Sequence, residues 1–140
     1  MAARDEKAQQ WLEAFLSQHG GVAGTVHRVR PDDPDLLELV AAVNIPPKVQ
    51  EVTATVPRGK GMAGLALERA QPISTCNLKT DTTGDVRPGA KAVDAAAAVA
   101  LPVQGAAGSV RAVVGIAYAG EREMDDAELQ RLGEAAREVP

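Results

Sequence analysis

Gly59, Gly61 and Gly64 fall in the stretch GKGMAG with GxGxxG spacing, after an apolar segment and before a short helical one. Such a turn brings backbone N–H groups against a pyrophosphate. Asp81 and Asp85 follow at about the 20-residue distance where a dinucleotide fold keeps its ribose acid. The surrounding residues do not agree with that reading. Pro57 and Arg58 separate the strand from the glycines, the helical pattern is too short, and no βαβ rhythm continues. A phosphate loop is excluded because Gly61 follows Lys60, where Ser or Thr must hold magnesium. The glycines are read as a sharp strand-to-helix turn that lets the helix pack close to a sheet.

Cys76 is the single cysteine. A reactive thiol needs a neighbouring base or cation, and neither His19 nor His27 has a local relation to it, so it reads as a small core residue. His19 stands before Gly20 in a last helical turn, at the negative end of the helix dipole. No acid lies at metal or triad spacing from either histidine, and both are read as structural. Asn77, Lys79, Asp81, Asp85, Arg87, Lys91 and Asp94 mix both signs of charge along one polar stretch. That pattern suits a solvated face and a ligand lid equally.

The elements that must hold these groups follow from periodicity. Residues 5–19 read as a helix, with Ala8, Trp11, Leu12, Phe15 and Leu16 at three- and four-residue steps and Gly20-Gly21 as the stop. Residues 22–30 and 36–43 read as strands around a Pro-Asp-Asp-Pro turn, with Pro46-Pro47 ending the second. Residues 49–56, VQEVTATV, alternate as a half-buried strand with Val52, Ala54 and Val56 on one side. A short helix runs to Arg69 and a short strand over 71–77. Residues 78–93 carry no clear element. Two apolar strands, 96–103 and 110–118, form a hairpin, and a last helix begins near Asp125 with Leu129, Leu132 and Ala136 as its stripe. This order implies one mixed sheet with helices, in the α+β style.

Composition narrows the function. The net charge of −4 excludes a strongly electrostatic nucleic-acid binder, and three aromatic residues give no base-stacking platform. A lone cysteine makes no internal disulfide, and no Cys/His cluster has zinc spacing. The first ten residues lack the apolar stretch of a signal peptide. The longest apolar run, at 95–101, is far short of a membrane span. A soluble, cytoplasmic chain is expected, with no partner among nucleic acids or membranes. Leu, Ile, Val and Phe make up 31 of 140 residues against 26 alanines. A core built from such small side chains fills volume poorly and invites help from a second subunit.

Taken together, several pieces resemble a GAF domain: residues 56–73 with the glycine turn and the Gln-Pro-Ile that follows it, the strand ending near Asn77 and Asp81, AVALPV at 98–103, VVGIA at 113–117, and the helix after Asp125. The resemblance covers roughly residue 14 onward. It implies an α+β fold with an antiparallel sheet of about six strands, a ligand pocket on one face roofed by residues 78–93, and terminal helices on the other face, often used for dimerisation. One domain spans 1–140, with an N-terminal helix about 5–19, a core about 22–120 and a C-terminal helix about 125–138.

The resemblance also separates functions. Reductases of free methionine-(R)-sulfoxide need cysteines in the glycine turn and the pocket loop. Here the turn position is Ala63, residues 85–90 hold no cysteine, and Cys76 matches neither place. The acid expected before the Pro-Val strand is replaced by alanines at 95–98. The Asn-Lys-Phe-Asp-Glu signature of cyclic-nucleotide binders is absent, and Cys76 comes too early for a bilin attachment site. The expectation is a non-catalytic sensory or regulatory module, a homodimer without metal or cofactor, that binds a small polar ligand and signals to a separate protein. Thr75, Asn77, Asp81, Arg87 and Asp94 are the expected pocket or lid groups, Arg87 for an anionic group and the acids for amines or hydroxyls. The rival expectations are an interaction module whose pocket has degenerated, favoured by the alanine run, and an enzyme using Cys76.

Overall fold

The structure, a computed structural model, describes residues 5–75, 97–105, 108–120 and 125–140. Helix α1 (Glu6–His19) begins where Asp5 turns its carboxylate onto its own first turn, accepting from the backbone N–H of Lys7 at 2.9 Å and of Ala8 at 3.2 Å. It ends at Gly20, whose φ of 73° is open to glycine without a Cβ penalty and whose N–H caps the Leu16 carbonyl. Strands β1 (Ala23–Arg30) and β2 (Asp33–Val43) form an antiparallel hairpin. Gln9 then locks α1 onto β2 from its side-chain amide. Nε2 donates to the Ala42 carbonyl at 2.8 Å, and Oε1 accepts from the Ala42 N–H at 3.0 Å.

Residues 49–56 are not the strand that their alternation suggests. Pro46-Pro47 does more than end β2: with Pro47 at the helix start it opens a short helix, α2 (Pro47–Val52), and only Thr55–Pro57 forms strand β3. Proline's fixed φ suits the first helical turn and needs no N–H there. The same eight residues also carry helical spacing, which buries Val49 and leaves Val52 49% exposed. Helix α3 (Gly61–Arg69) and strand β4 (Ile73–Thr75) follow, then β5 (Ala97–Gln104), β6 (Val110–Tyr118) and helix α4 (Asp126–Ala136). Asp125 caps α4 by accepting from the Glu128 N–H at 2.8 Å.

The six strands lie in the order β3-β2-β1-β6-β5-β4, and every pairing is antiparallel. The sheet is therefore not mixed. It is the antiparallel GAF-like arrangement that the resemblance implied. Alternation along the central strands divides the core in two. Val26, Val99, Leu101, Val103, Val114 and Ile116 face α1 and α4, meeting Leu12, Phe15, Leu16 and Leu132. Leu37, Ala100 and Val113 face the other way, toward Leu67 and Ala66 of α3. Phe15 is covered within the chain, at 3% exposure, and Trp11 stacks on it with ring centroids 4.8 Å apart.

Candidate functional site

The second face of the sheet is carpeted with side chains too small to fill it. Register places Ala98 opposite Ala117 and Ala100 opposite Gly115, while Thr25 on the next strand pairs with Gly115. A Cβ at Gly115 would stand 2.8 Å from Thr25 Oγ1, so the glycine is what allows the threonine to lean across the floor. Above these residues lies a cavity lobe of about 130 Å³, walled by Ile45, Met62, Ala63 and Val113. A second lobe of about 140 Å³ adjoins it, sharing Thr25, Ile45, Met62 and Ala63 and adding His27, Val49, Thr53, Val56, Lys60 and Gly61.

The walls are held by local bonds with clear causes. His27, 3% exposed, places Nε2 2.9 Å from the Thr53 carbonyl. A carbonyl only accepts, so Nε2 carries the proton, and β1 is tied to the end of α2. Thr53 Oγ1 donates back to the Val49 carbonyl at 2.8 Å, and Gln50 Nε2 donates to the Ile45 carbonyl at 2.8 Å, fixing the wall residue between β2 and α2. His19, at the end of α1, tilts against Phe15 with centroids 4.8 Å apart.

The glycine turn serves the cavity and follows the packing interpretation of its sequence. Gly59 and Gly61 have φ of 80° and 64°, and a Cβ on Gly64 would overlap the Pro57 carbonyl. The Gly59 N–H bonds the Gly64 carbonyl at 2.8 Å, so the turn folds directly onto the first turn of α3. Arg58 pins the outside: its Nε lies 2.7 Å from Asp35 Oδ1 and its Nη2 donates to the Pro34 carbonyl at 3.2 Å. Lys60, Gly61, Met62 and Ala63 thereby line the second lobe.

Of the site residues read from the sequence, Thr75 ends β4 in register with Ala98 of the floor. Asn77, Asp81, Arg87 and Asp94 lie outside the described residues, as does Cys76. The sequence reading passed over Thr25, Ile45, Lys60, Met62, Ala98, Ala100 and Gly115. Its available signal was the recurrence of small residues at every second position of two neighbouring strands, 98 and 100, 115 and 117. Among the described residues lining the two lobes, Lys60 is the charged side chain, and no carboxylate or cysteine joins it. No group of three His, Cys, Asp or Glu suited to a metal occurs among the described residues. No helix among them is long and apolar enough to cross a membrane. The carboxylates held below their usual range, Asp5 by the Ala8 N–H and Arg28 and Asp32 by Arg30, do not line either lobe.

No protein-family model matches the chain, and no curated protein sequence does. Solved structures do. The second GAF domain of DevS from Mycobacterium smegmatis is similar over 96% of this chain and 88% of that one, with a TM-score of 0.67 at 18% identity. A type II free methionine-R-sulfoxide reductase from Thermoplasma acidophilum is similar over 94% and 85%, with a TM-score of 0.70 at 13% identity. NreA of Staphylococcus aureus, mutated in its nitrate binding site, is similar over 91% and 99%, with a TM-score of 0.71 at 16% identity. The fold is GAF-like. At these identities the likeness is one of fold, and the fold is shared by a GAF domain, a nitrate-binding protein and an enzyme.

Proposed function

We propose that this chain is a non-catalytic sensory or regulatory module that binds a small molecule and signals to a separate protein. The observation that carries the reading is the two-lobed cavity on the sheet face opposite α1 and α4, roomy because Ala98, Ala100 and Gly115 stand where larger residues would fill it. Ligand chemistry there would move β1, which carries Thr25 and His27 toward the cavity and Val26 toward the terminal helices. A ligand shifts such an equilibrium only by its differential affinity for the two states. Thr75, Asn77, Asp81, Arg87 and Asp94 are proposed as polar pocket or lid groups, and the working form as a cytoplasmic homodimer joined through the terminal helices.

Reductase activity is the main rival, because reductases share the fold. The residue at the expected thiol position of the turn is Ala63, whose methyl lines both lobes. Native mass spectrometry of gently purified protein tests the sensor reading. A dimer retaining extra mass supports it, and steady consumption of free methionine-(R)-sulfoxide in the presence of a thiol reductant would overturn it. Arg87→Ala and Asp94→Ala should each weaken ligand binding, and unchanged affinity removes those residues from the site.

A second reading has its own observation. The cavity floor is methyl and glycine, offering a ligand few hydrogen bonds, as in an interaction module whose pocket has degenerated. A single clean species that stays unchanged in a metabolite mixture, together with capture of a defined protein partner, would favour it.

A further inference from the structure

We infer that the ligand meets the sheet with a compact, uncharged hydrocarbon group bearing one alcohol or ketone oxygen, and that the Thr25 hydroxyl selects it. The inference rests on the ligand-binding reading above and adds the chemistry of the end that meets the floor. The polar groups proposed for the lid, Asn77, Asp81, Arg87 and Asp94, concern the ligand's other end. Both lobes are bounded chiefly by carbon: Ala98, Ala100 and Gly115 in one, Val49 and Val56 in the other, with Met62 common to both. They measure about 130 Å³ and 140 Å³. Each is close to the roughly 150 Å³ of an apolar protein cavity that takes up benzene. A ring of about six carbons fills such a space, and a charge pressed onto this floor would lose its hydration without a partner there.

Thr25 puts one polar atom into this carbon surface, and it borders both lobes. Antiparallel register sets it beside Gly115, and Gly115 beside Ala100, so the three stand in one row on the cavity face. A Cβ built on Gly115 would come within 2.8 Å of Thr25 Oγ1, which sets the oxygen over the glycine. The neighbouring polar side chains are turned into the wall. Thr53 Oγ1 donates to the Val49 carbonyl, and His27 Nε2 donates to the Thr53 carbonyl. Thr25 Oγ1, by contrast, makes no hydrogen bond to the described residues. A hydroxyl both donates and accepts, so it answers an alcohol or a ketone oxygen equally. With carbon around it, that single bond decides which of two equally shaped ligands is held.

The test uses two probes of one shape on the intact chain, phenol and toluene, with affinities from amide-resolved NMR titration. The two differ in hydration, so the readout is the change of each between the natural chain and Thr25→Val. That substitution keeps the branched shape and drops the oxygen. Phenol should lose about fivefold to tenfold, the worth of one neutral hydrogen bond, while toluene keeps its affinity to within about twofold. Thr25→Ser returns a hydroxyl and should recover most of the phenol loss. Ala98→Leu should abolish binding of both probes by filling the floor, and Ala63→Leu is the second variant should that chain not fold. Binding undisturbed by either leucine places the probes elsewhere and overturns the inference. Equal losses of phenol and toluene in Thr25→Val, or no loss of either, overturn selection by Thr25 and leave the pocket standing. The same holds if neither probe binds while native mass spectrometry finds a retained metabolite that is lost in Ala63→Leu. Failure of both probes, with no metabolite retained, overturns both readings.

Discussion

Arg28 and Asp5 meet at 3.0 Å, and the same guanidinium nitrogen lies 2.8 Å from the Pro140 carbonyl. One side chain on β1 thus holds the cap of α1 and the segment beyond α4 together. A second arginine repeats the device on the neighbouring strand. Arg111 Nη2 donates to the carbonyls of Val139 at 2.8 Å and Arg137 at 3.2 Å, and Val139 is buried beneath them at 3% exposure. The two terminal helices are therefore fastened to the sheet through β1 and β6, the strands at its centre.

Acid should loosen this clasp through Asp5. Its carboxyl is held below the ordinary value, first by the Ala8 N–H and then by Arg28, so the stability it supplies is present above the unfolded pKa. That contribution is lost as pH falls through the lower, folded value. Asp5→Asn keeps a capping oxygen but has no charge to lose. Thermal unfolding between pH 6 and pH 2 should show a flatter decline of Tm for Asp5→Asn than for the natural chain. Parallel curves would remove Asp5 from the acid response. Asp5→Ala loses cap and pair together and should lower Tm at neutral pH by about 3–6 °C.

Arg111→Met should fray the chain end without unsettling the core. Hydrogen exchange is the measurement: amides of residues 137–140 should lose protection, while those of β5 and β6 keep theirs. Uniform loss across the sheet would mean that Arg111 supports more than the tail it touches.

Two glycines in helices should respond in opposite directions to the same methyl group. Gly64→Ala places a Cβ on the Pro57 carbonyl and close to the Gly59 backbone, so turn and helix must separate at a cost of about 2–4 kcal/mol. Gly133, inside α4, has nothing within 4 Å of a built Cβ. Gly133→Ala should stabilise the chain by about 0.5–1 kcal/mol through helix propensity. Urea midpoints measure both, and a Gly64→Ala midpoint equal to the natural one would refute the close approach.

His27→Leu should release α2. The buried ring is replaced by carbon, and the Thr53 carbonyl loses its 2.9 Å donor, at a cost of about 1–3 kcal/mol. Protection of the α2 amides should fall before that of β1, and the second cavity lobe should lose its wall. Unaltered exchange in residues 47–53 would show that packing of Val49 alone holds the helix.

Much of this architecture was legible from residue pattern. Asp5, Gly20 and the stripe of Leu12, Phe15 and Leu16 mark α1, and the paired apolar runs around residues 104–108 mark the hairpin of β5 and β6. The segment 49–56 was misread because eight residues fit both periods, and the deciding information was the helix-starting preference of Pro47. Strand direction was not fixed by element order alone, since a helix between two strands is compatible with either sense. The site was harder for a different reason. Polar residues announce themselves in a sequence, whereas this cavity is defined by missing volume, and alanine reads as neutral until register sets Ala98 and Ala100 beside Gly115 and Ala117.

At one border of the sheet, β3 is three residues long and closes on Pro57, which has no N–H to offer. A stray extended chain arriving there finds too few donors and acceptors to zip onto. Crowded copies of this protein are thereby denied runaway strand-by-strand polymerisation from that side. An assembly between copies that used this end of the sheet would have to rely on side chains rather than on bare backbone.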